Sequence, residues 1–283
     1  MSKPIAAFSA ALSLAFAATP SPGQAPPTQP ARWHLDGSTD RCLLTRRLEG
    51  TPMAATFILR TIPGSGRYDF ILAAPDLPAA IRRTGADLAI AFSPGARRIM
   101  ISPARVELPR ALGDGAAFGP LSAQFVEQLS RASTLRIADP EGRELASWTI
   151  PLAARAAEAF AACEAEKLTD WGADPAAFER GATPPRVQGD PDDWLTGRDL
   201  GLATATTTAA YTAAFRIVIG TDGRVADCTL VESAGNVNLS DACRVLRGRA
   251  RFDPARNAAG DAIRSVIVHY VGFRRDVEFR WVG

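Results

Sequence analysis

The stretch Phe215-Arg-Ile-Val-Ile-Gly-Thr-Asp-Gly-Arg-Val225 decides how the C-terminal part of this chain folds. With the residues just before it, it places Tyr211, Ala213, Phe215, Ile217 and Ile219 at every second position, the period of a β-strand. Thr221-Asp222-Gly223-Arg224 reads as a hairpin turn, with the Asp-Gly pair expected to supply the positive φ angles of a tight turn. Residues 225–231 then read as the return strand, with Cys228 and Leu230 on one face, and Ser233-Ala234-Gly235-Asn236 as its break. Leu239, Ala242, Cys243 and Leu246 mark a short helix. Arg251-Phe252-Asp253-Pro254-Ala255 ends it, because Pro254 cannot continue a helix. Residues 263–282 read as one long or bulged strand, interrupted near Gly272. The order is strand, strand, helix, strand, beginning near Trp194.

Upstream, residues 172–193 carry Pro175, Pro184, Pro185 and Pro191 with no steady apolar period, the pattern of a linker. Residues 33–171 read as a first domain. Half-buried strands are expected at 55–61, 68–73 and 87–92, with Pro63-Gly64-Ser65-Gly66 turning between the first two. Leu121, Phe125 and Leu129 recur every four residues and predict a helix over 119–131. Strands return at 135–138 and 145–150, and the Ala-rich run 153–167 predicts a closing helix with Phe160 and Cys163 on one broad face. The expected fold class is α+β: a mainly antiparallel β domain with helices, then a small ββαβ domain over 194–283.

A chain of 283 residues with 47% apolar and 22% charged side chains can bury two cores. Its 32 basic and 30 acidic residues nearly balance, so nothing marks a nucleic-acid partner. Residues 1–25 resemble a signal peptide: Lys3, a charge-free apolar run over 5–18, and small residues at Ala15 and Ala17. Residues 26–32 form a Pro-rich linker. The expected location is therefore the periplasm of a Gram-negative cell, with an uncleaved inner-membrane anchor as the alternative. Cys42, Cys163, Cys228 and Cys243 allow three pairings, and their placement suggests one bridge per domain.

The ordered set Phe215–Val225, Leu230-Val-Glu-Ser-Ala-Gly235, Leu239, Arg251-Phe-Asp-Pro-Ala255 and Gly260 resembles the TonB C-terminal domain family over residues 194–283. The resemblance implies a three-stranded antiparallel sheet with one helix on its face. In it Asp222, Gly223, Ser233, Gly235, Arg251, Phe252 and Pro254 specify fold and contact no ligand. In that arrangement Cys228 and Cys243 face one core and would staple helix to sheet. Members of the family pair a sheet edge with an extended segment of an outer-membrane transporter, using backbone hydrogen bonds. The linker here is short for spanning a periplasm, since about 20 extended residues reach only ~65 Å. The first domain has a faint likeness to the invasion-associated locus B family: an early Trp33 and Cys42, a middle helix, and a closing helix with Cys163.

No arrangement of base, nucleophile or metal ligand stands out. His34 and His269 lie far apart, Ser233 sits in no nucleophile elbow, and no CxxC exists. The function expected is that of a non-enzymatic binding module without cofactor or metal. Its partner would be an envelope protein or a second copy, met at an edge offered by 209–219 or 277–282. The alternatives are a membrane-anchored energy transducer for transport across the outer membrane, and a periplasmic enzyme working through the first domain.

Overall fold

In the computed structural model the described residues are 32–38, 40–95, 97–196, 199, 211–234, 239–274 and 277–281, with side chains undescribed at 211, 273, 274 and 277–281. The signal peptide expected over 1–25, the Pro-rich linker expected over 26–32 apart from its last residue, and Gly235 lie outside them.

The N-terminal part builds eleven strands: β1 (His34–Asp36), β2 (Cys42–Leu48), β3 (Gly50–Thr51), β4 (Ala55–Thr61), β5 (Tyr68–Ala74), β6 (Leu88–Ser93), β7 (Arg98–Ile101), β8 (Ala104–Arg105), β9 (Asp114–Leu121), β10 (Thr134–Ala138) and β11 (Glu144–Thr149). They form two antiparallel sheets, ordered β1-β2-β4-β5-β9-β8 and β3-β11-β10-β6-β7. Helices α1 (Ala79–Arg82), α2 (Ala123–Ser130) and α3 (Ala153–Asp170) complete it. Phe57, Phe70 and Phe118 from the first sheet, Phe92, Ile137 and Trp148 from the second, and Phe125 and Phe160 from α2 and α3 share one core. Phe70 stands at its centre, 4.8 Å from Phe57 and 5.4 Å from both Phe118 and Phe125.

Two sequence expectations need correction here. Leu121 ends a strand, and the helix begins only at Ala123 after Ser122, because the strand runs on through a bulge at Gly119-Pro120 to Leu121, which still pairs with Tyr68 of β5. Strands β4 and β5 are buried on both faces, with Ile58 and Ile71 nearly as covered as Phe57 and Phe70. Alternation in the sequence therefore understates their burial.

The segment 172–193 is no free tether. Backbone hydrogen bonds tie it to the C-terminal part: Asp174 donates to Arg264 (3.0 Å), Thr183 to Arg256 (2.8 Å) and Gln188 to Arg251 (2.9 Å). Within it β12 (Arg186–Val187) pairs with a later strand, β15 (Phe252–Asp253). Satisfying backbone groups in this way is what lets a Pro-rich segment lie against a folded surface.

The C-terminal part follows the order β13 (Tyr211–Ile219), β14 (Val225–Ala234), α4 (Ala242–Arg249), then short pairs β15, β16 (Ala255–Arg256) and β17 (Ala262–Ile263), and finally β18 (Ser265–Arg274) and β19 (Val277–Trp281). The sheet has four antiparallel strands in the order β14-β13-β18-β19. The expected single last strand is thus a hairpin, since 277–281 fold back on 271–274. The return strand β14 also runs on through Ser233 and Ala234, so Ser233 does not break it. Taken whole, the fold is a mostly-sheet α+β protein with four α-helices among the described residues.

The turn after β13 shows why glycine is needed there. Only Gly223 has positive φ (74°); Asp222 does not, and instead its Oδ1 accepts the Arg224 N–H at 3.0 Å. Gly223 N–H donates to Gly220 O, and the register shifts between Val218 and Ile219, just before the turn. A Cβ on Gly223 would strike the Phe252 carbonyl, while the Gly223 carbonyl accepts the Phe252 N–H at 2.9 Å. Strained backbone and a blocked approach of β15 act together. Gly223→Ala should therefore cost about 3 kcal/mol, read as a lower urea midpoint at unchanged slope.

Candidate functional site

The C-terminal sheet has two faces and two edges, and the question is which remain available. On one face α4 packs Ala242, Val245 and Leu246 against Phe215, Ile217 and Val271. Cys228 of β14 and Cys243 of α4 are joined as a disulfide on this face. Phe252 is buried below the helix end, 5.1 Å from the ring of Trp194, which also lies 5.6 Å from His269. Burying Phe252 contributes about 2 kcal/mol. Arg251 donates to Gly248 O (2.8 Å) and Ala250 O (2.7 Å), so it satisfies carbonyls that the end of α4 leaves open. Pro254 lies against Gly223. His269 is no exposed base. Burial pulls its imidazole down to about 3, so it is neutral at physiological pH.

The other face meets the N-terminal part. Ala214 and Val268 cluster with Ile62, and Val218 and Val266 with Leu168 and Trp171 of the α3 end. Arg216 lies over the Trp171 ring at 4.9 Å, and Arg67 over Tyr270 at 4.4 Å. Both faces of β13 are thereby covered, which explains its near-continuous burial from Ala213 to Ile219. The expectation that 209–219 offers an open edge is wrong: β13 is an inner strand, flanked by β14 and β18. Residues 209 and 210 lie outside the described residues.

Edges differ in how they are protected. Along β14, Asp227 is paired with Arg247 of α4 at 2.7 Å, and the same guanidinium reaches the Cys228 carbonyl at 3.5 Å. That pairing holds the Asp227 carboxyl below its usual range. Glu232 is paired with Arg41 of the N-terminal part at 2.9 Å, and a bulge interrupts the register between Leu230 and Glu232. Charges, a side chain on a carbonyl and a bulge are devices that keep an edge from pairing. Along β18, the stretch before Val271 is not paired to β19, and there the Val268 N–H donates to the Gly64 carbonyl at 2.9 Å. Gly64 (φ 81°) sits in the β4–β5 turn, so the tip of that hairpin caps this part of the edge. Strand β19 forms the remaining edge. The short turn Pro191–Asp193 lies beside it and leads into Trp194 on the helix-covered face.

Two clefts open among the described residues. One, about 180 Å³, lies between the two parts and is lined by Arg41, Arg60, Arg67, Asp69, Glu232 and Tyr270. Its carboxylates are already engaged, Asp69 with Arg60 (3.0 Å) and Glu232 with Arg41. The other, about 810 Å³, holds Arg82, Arg105 and Arg110. There Arg82 bonds the Leu77 carbonyl (2.8 Å) and Asp114 (3.0 Å). These arrangements brace the structure. Among the described residues no group of three or more His, Cys, Asp or Glu side chains could hold a metal ion.

Sequence reading missed one buried ionisable pair. Glu164 of α3 is mostly buried beside the Cys42–Cys163 disulfide, and Tyr68 Oη donates to its carboxylate at 3.3 Å. Burial pushes the Glu164 carboxyl up to about 7, against the smaller lowering effect of the tyrosine hydrogen bond, and burial likewise raises the Tyr68 phenol. An acid in an Ala-rich amphipathic run looks like surface, and only the fold turns it inward.

The two disulfides fit a chain that works in an oxidising compartment, and no helix among the described residues is long and apolar enough to cross a membrane. Compared with known proteins, the chain matches no family model, no curated protein and no solved structure.

Proposed function

We propose that this chain is a non-enzymatic protein-binding module of the periplasm, resembling the TonB C-terminal domain over residues 194–283 and joining envelope partners or itself by adding a strand at the edge of its C-terminal sheet. The observation that carries this reading is the unequal protection of that sheet. Both faces of the inner strand β13 are covered, β14 is bulged and ion-paired, the free part of β18 is capped by Gly64, and β19 stands at the remaining edge. Strand addition draws its affinity from backbone hydrogen bonds, so it needs no reactive side chain.

The departure from the energy-transducing members lies in the second face. Here an N-terminal domain of the same chain covers it and supplies the hairpin that caps β18. The module is thus held against its own partner domain, where a transducer would carry it on a long tether. The test is a photo-reactive residue placed in the full chain, in cells, at position 279 on β19 or at position 229 on β14. Adducts from 279 at least tenfold above those from 229 are expected. Equal yields from both positions contradict the reading, as does the lack of any adduct.

A further inference from the structure

We infer that the cleft lined by Arg82, Arg105 and Arg110 is a binding site for a phosphate monoester carried on a polar body. The cleft lies in the N-terminal part, so it stands independently of the C-terminal sheet and of edge pairing. The first ground is a surplus of cations. The cleft holds three guanidiniums and two carboxylates, and only Arg82 and Asp114 pair with one another. Among the described residues the side chains of Arg105 and Arg110 have no ion-pair or hydrogen-bond partner. Glu107, between them in sequence, forms an ion pair with neither. In the smaller cleft, by contrast, each carboxylate is taken up by an arginine.

The second ground is that each arginine rises from ordered backbone. Arg105 lies on β8, where Ala104 and Arg105 pair with Ala117 and Ala116 of β9. Arg110 opens a short turn, closed by Leu112 N–H to Pro109 O (2.8 Å) and Gly113 N–H to Arg110 O (3.2 Å). Arg82 is fixed by the Leu77 carbonyl and Asp114. Gly115 has no room for a Cβ, which would lie 2.5 Å from Leu108 and 2.7 Å from Val106, so the loop after β8 rests directly on β9. Cations already placed around one opening lose little freedom when an anion enters. The volume, about 810 Å³, is that of a small-molecule site and exceeds what a phosphate alone fills. Charged side chains and glycine backbone make most of its wall, so the body that carries the phosphate is polar. A carboxylate bears one charge and is satisfied by one guanidinium fork. A phosphate monoester gathers nearly two charges on one centre and can accept from two forks.

The experiment is calorimetric titration of the full chain, at low ionic strength because Arg105 and Arg110 are exposed and salt screens them. The probes are glycerol 3-phosphate, succinate, and vesicles of phosphatidylcholine with and without phosphatidic acid. Glycerol 3-phosphate should bind saturably and more tightly than succinate. Arg105→Gln and Arg110→Gln should each weaken that binding about tenfold, the loss expected of a charge-assisted hydrogen bond, whereas Arg131→Gln at the end of α2 should leave it unchanged. Glu107→Gln removes a like charge and should tighten binding about twofold, a gain that a chain with a damaged fold cannot show. Binding to phosphatidic acid vesicles beyond that to phosphatidylcholine alone assigns the phosphate to a lipid headgroup. Binding of glycerol 3-phosphate without that excess assigns it to a soluble ester. The lack of saturable binding by either phosphate probe overturns the proposal. So does an equal loss in Arg131→Gln, which marks diffuse charge attraction, or succinate bound as tightly as the monoester.

Discussion

Replacing Glu164 by Gln is expected to give the protein a stability that climbs with pH between about 4.5 and 6.5, by about 1.4 kcal/mol per pH unit, where the unchanged chain is nearly flat. The flatness arises from two buried groups with opposite signs. Glu164 is raised from 4.5 to about 7, chiefly by burial, so the folded chain keeps a proton that the unfolded chain has released. Its contribution is complete below pH 4.5 and is lost as pH rises through 7. His269 is lowered from 6.5 to about 3 by burial, so the unfolded chain takes up a proton that the folded chain refuses. Its contribution is complete above pH 6.5 and is lost as pH falls through 3. Across 4.5–6.5 the two slopes cancel.

Glu164→Gln leaves the histidine slope alone, and at pH 8 the variant should exceed the unchanged chain by about 3 kcal/mol, because a buried carboxylate no longer has to be charged. The amide oxygen can still accept the Tyr68 hydroxyl. His269→Phe should do the reverse, with stability falling as pH rises through the same window. Asp36, Asp199 and Asp227 have their carboxyls lowered, so their contribution to pH dependence falls below it. Urea melts at half-unit steps of pH read this directly. A Glu164→Gln profile that runs parallel to the unchanged one would show that the carboxyl is not held protonated in the folded chain.

Removing the Cys42–Cys163 bridge with paired alanines should cost about 5 kcal/mol, and removing Cys228–Cys243 about 3 kcal/mol. The separations are 121 and 15 residues, and closing the longer loop removes more freedom from the unfolded chain. The first loss should also spread. Cys163 sits on α3, whose far end carries Leu168 and Trp171 onto the C-terminal sheet, so loosening that helix loosens both parts. Hydrogen exchange in the Cys42→Ala, Cys163→Ala chain is expected to show lost protection in β13 and β18 as well as in β2. Loss confined to β2 and α3 would mean that the two parts fold independently. A total cost below about 1 kcal/mol would mean that the bridge constrains little.

Some of this was legible beforehand. The alternation of Ala213, Phe215, Ile217 and Ile219 is visible as a period, and the structure has them on the helix-covered face. The turn at Gly223 and the end of α4 before Pro254 were readable because glycine and proline restrict backbone angles locally. The one-bridge-per-domain arrangement of the four cysteines could be suggested from placement, although three pairings stayed open until the fold brought the sulfurs together.

By itself the sequence determined what depends on neighbours along the chain: where strands and helices run, which residues turn, and which side chains are apolar enough to need cover. It could not tell what provides that cover. Ala214, Val218 and Val266 are small apolar residues that any surface could bury, and only the tertiary structure chose Ile62, Leu168 and Trp171. Strand order was decided in the same way, because backbone hydrogen bonds between strands carry no side-chain label. That is why β13 proved to be an inner strand and residues 277–281 a separate edge. The burial of Glu164 and His269 belongs here too, since a charge is displaced from its usual range by packing between elements far apart in the chain.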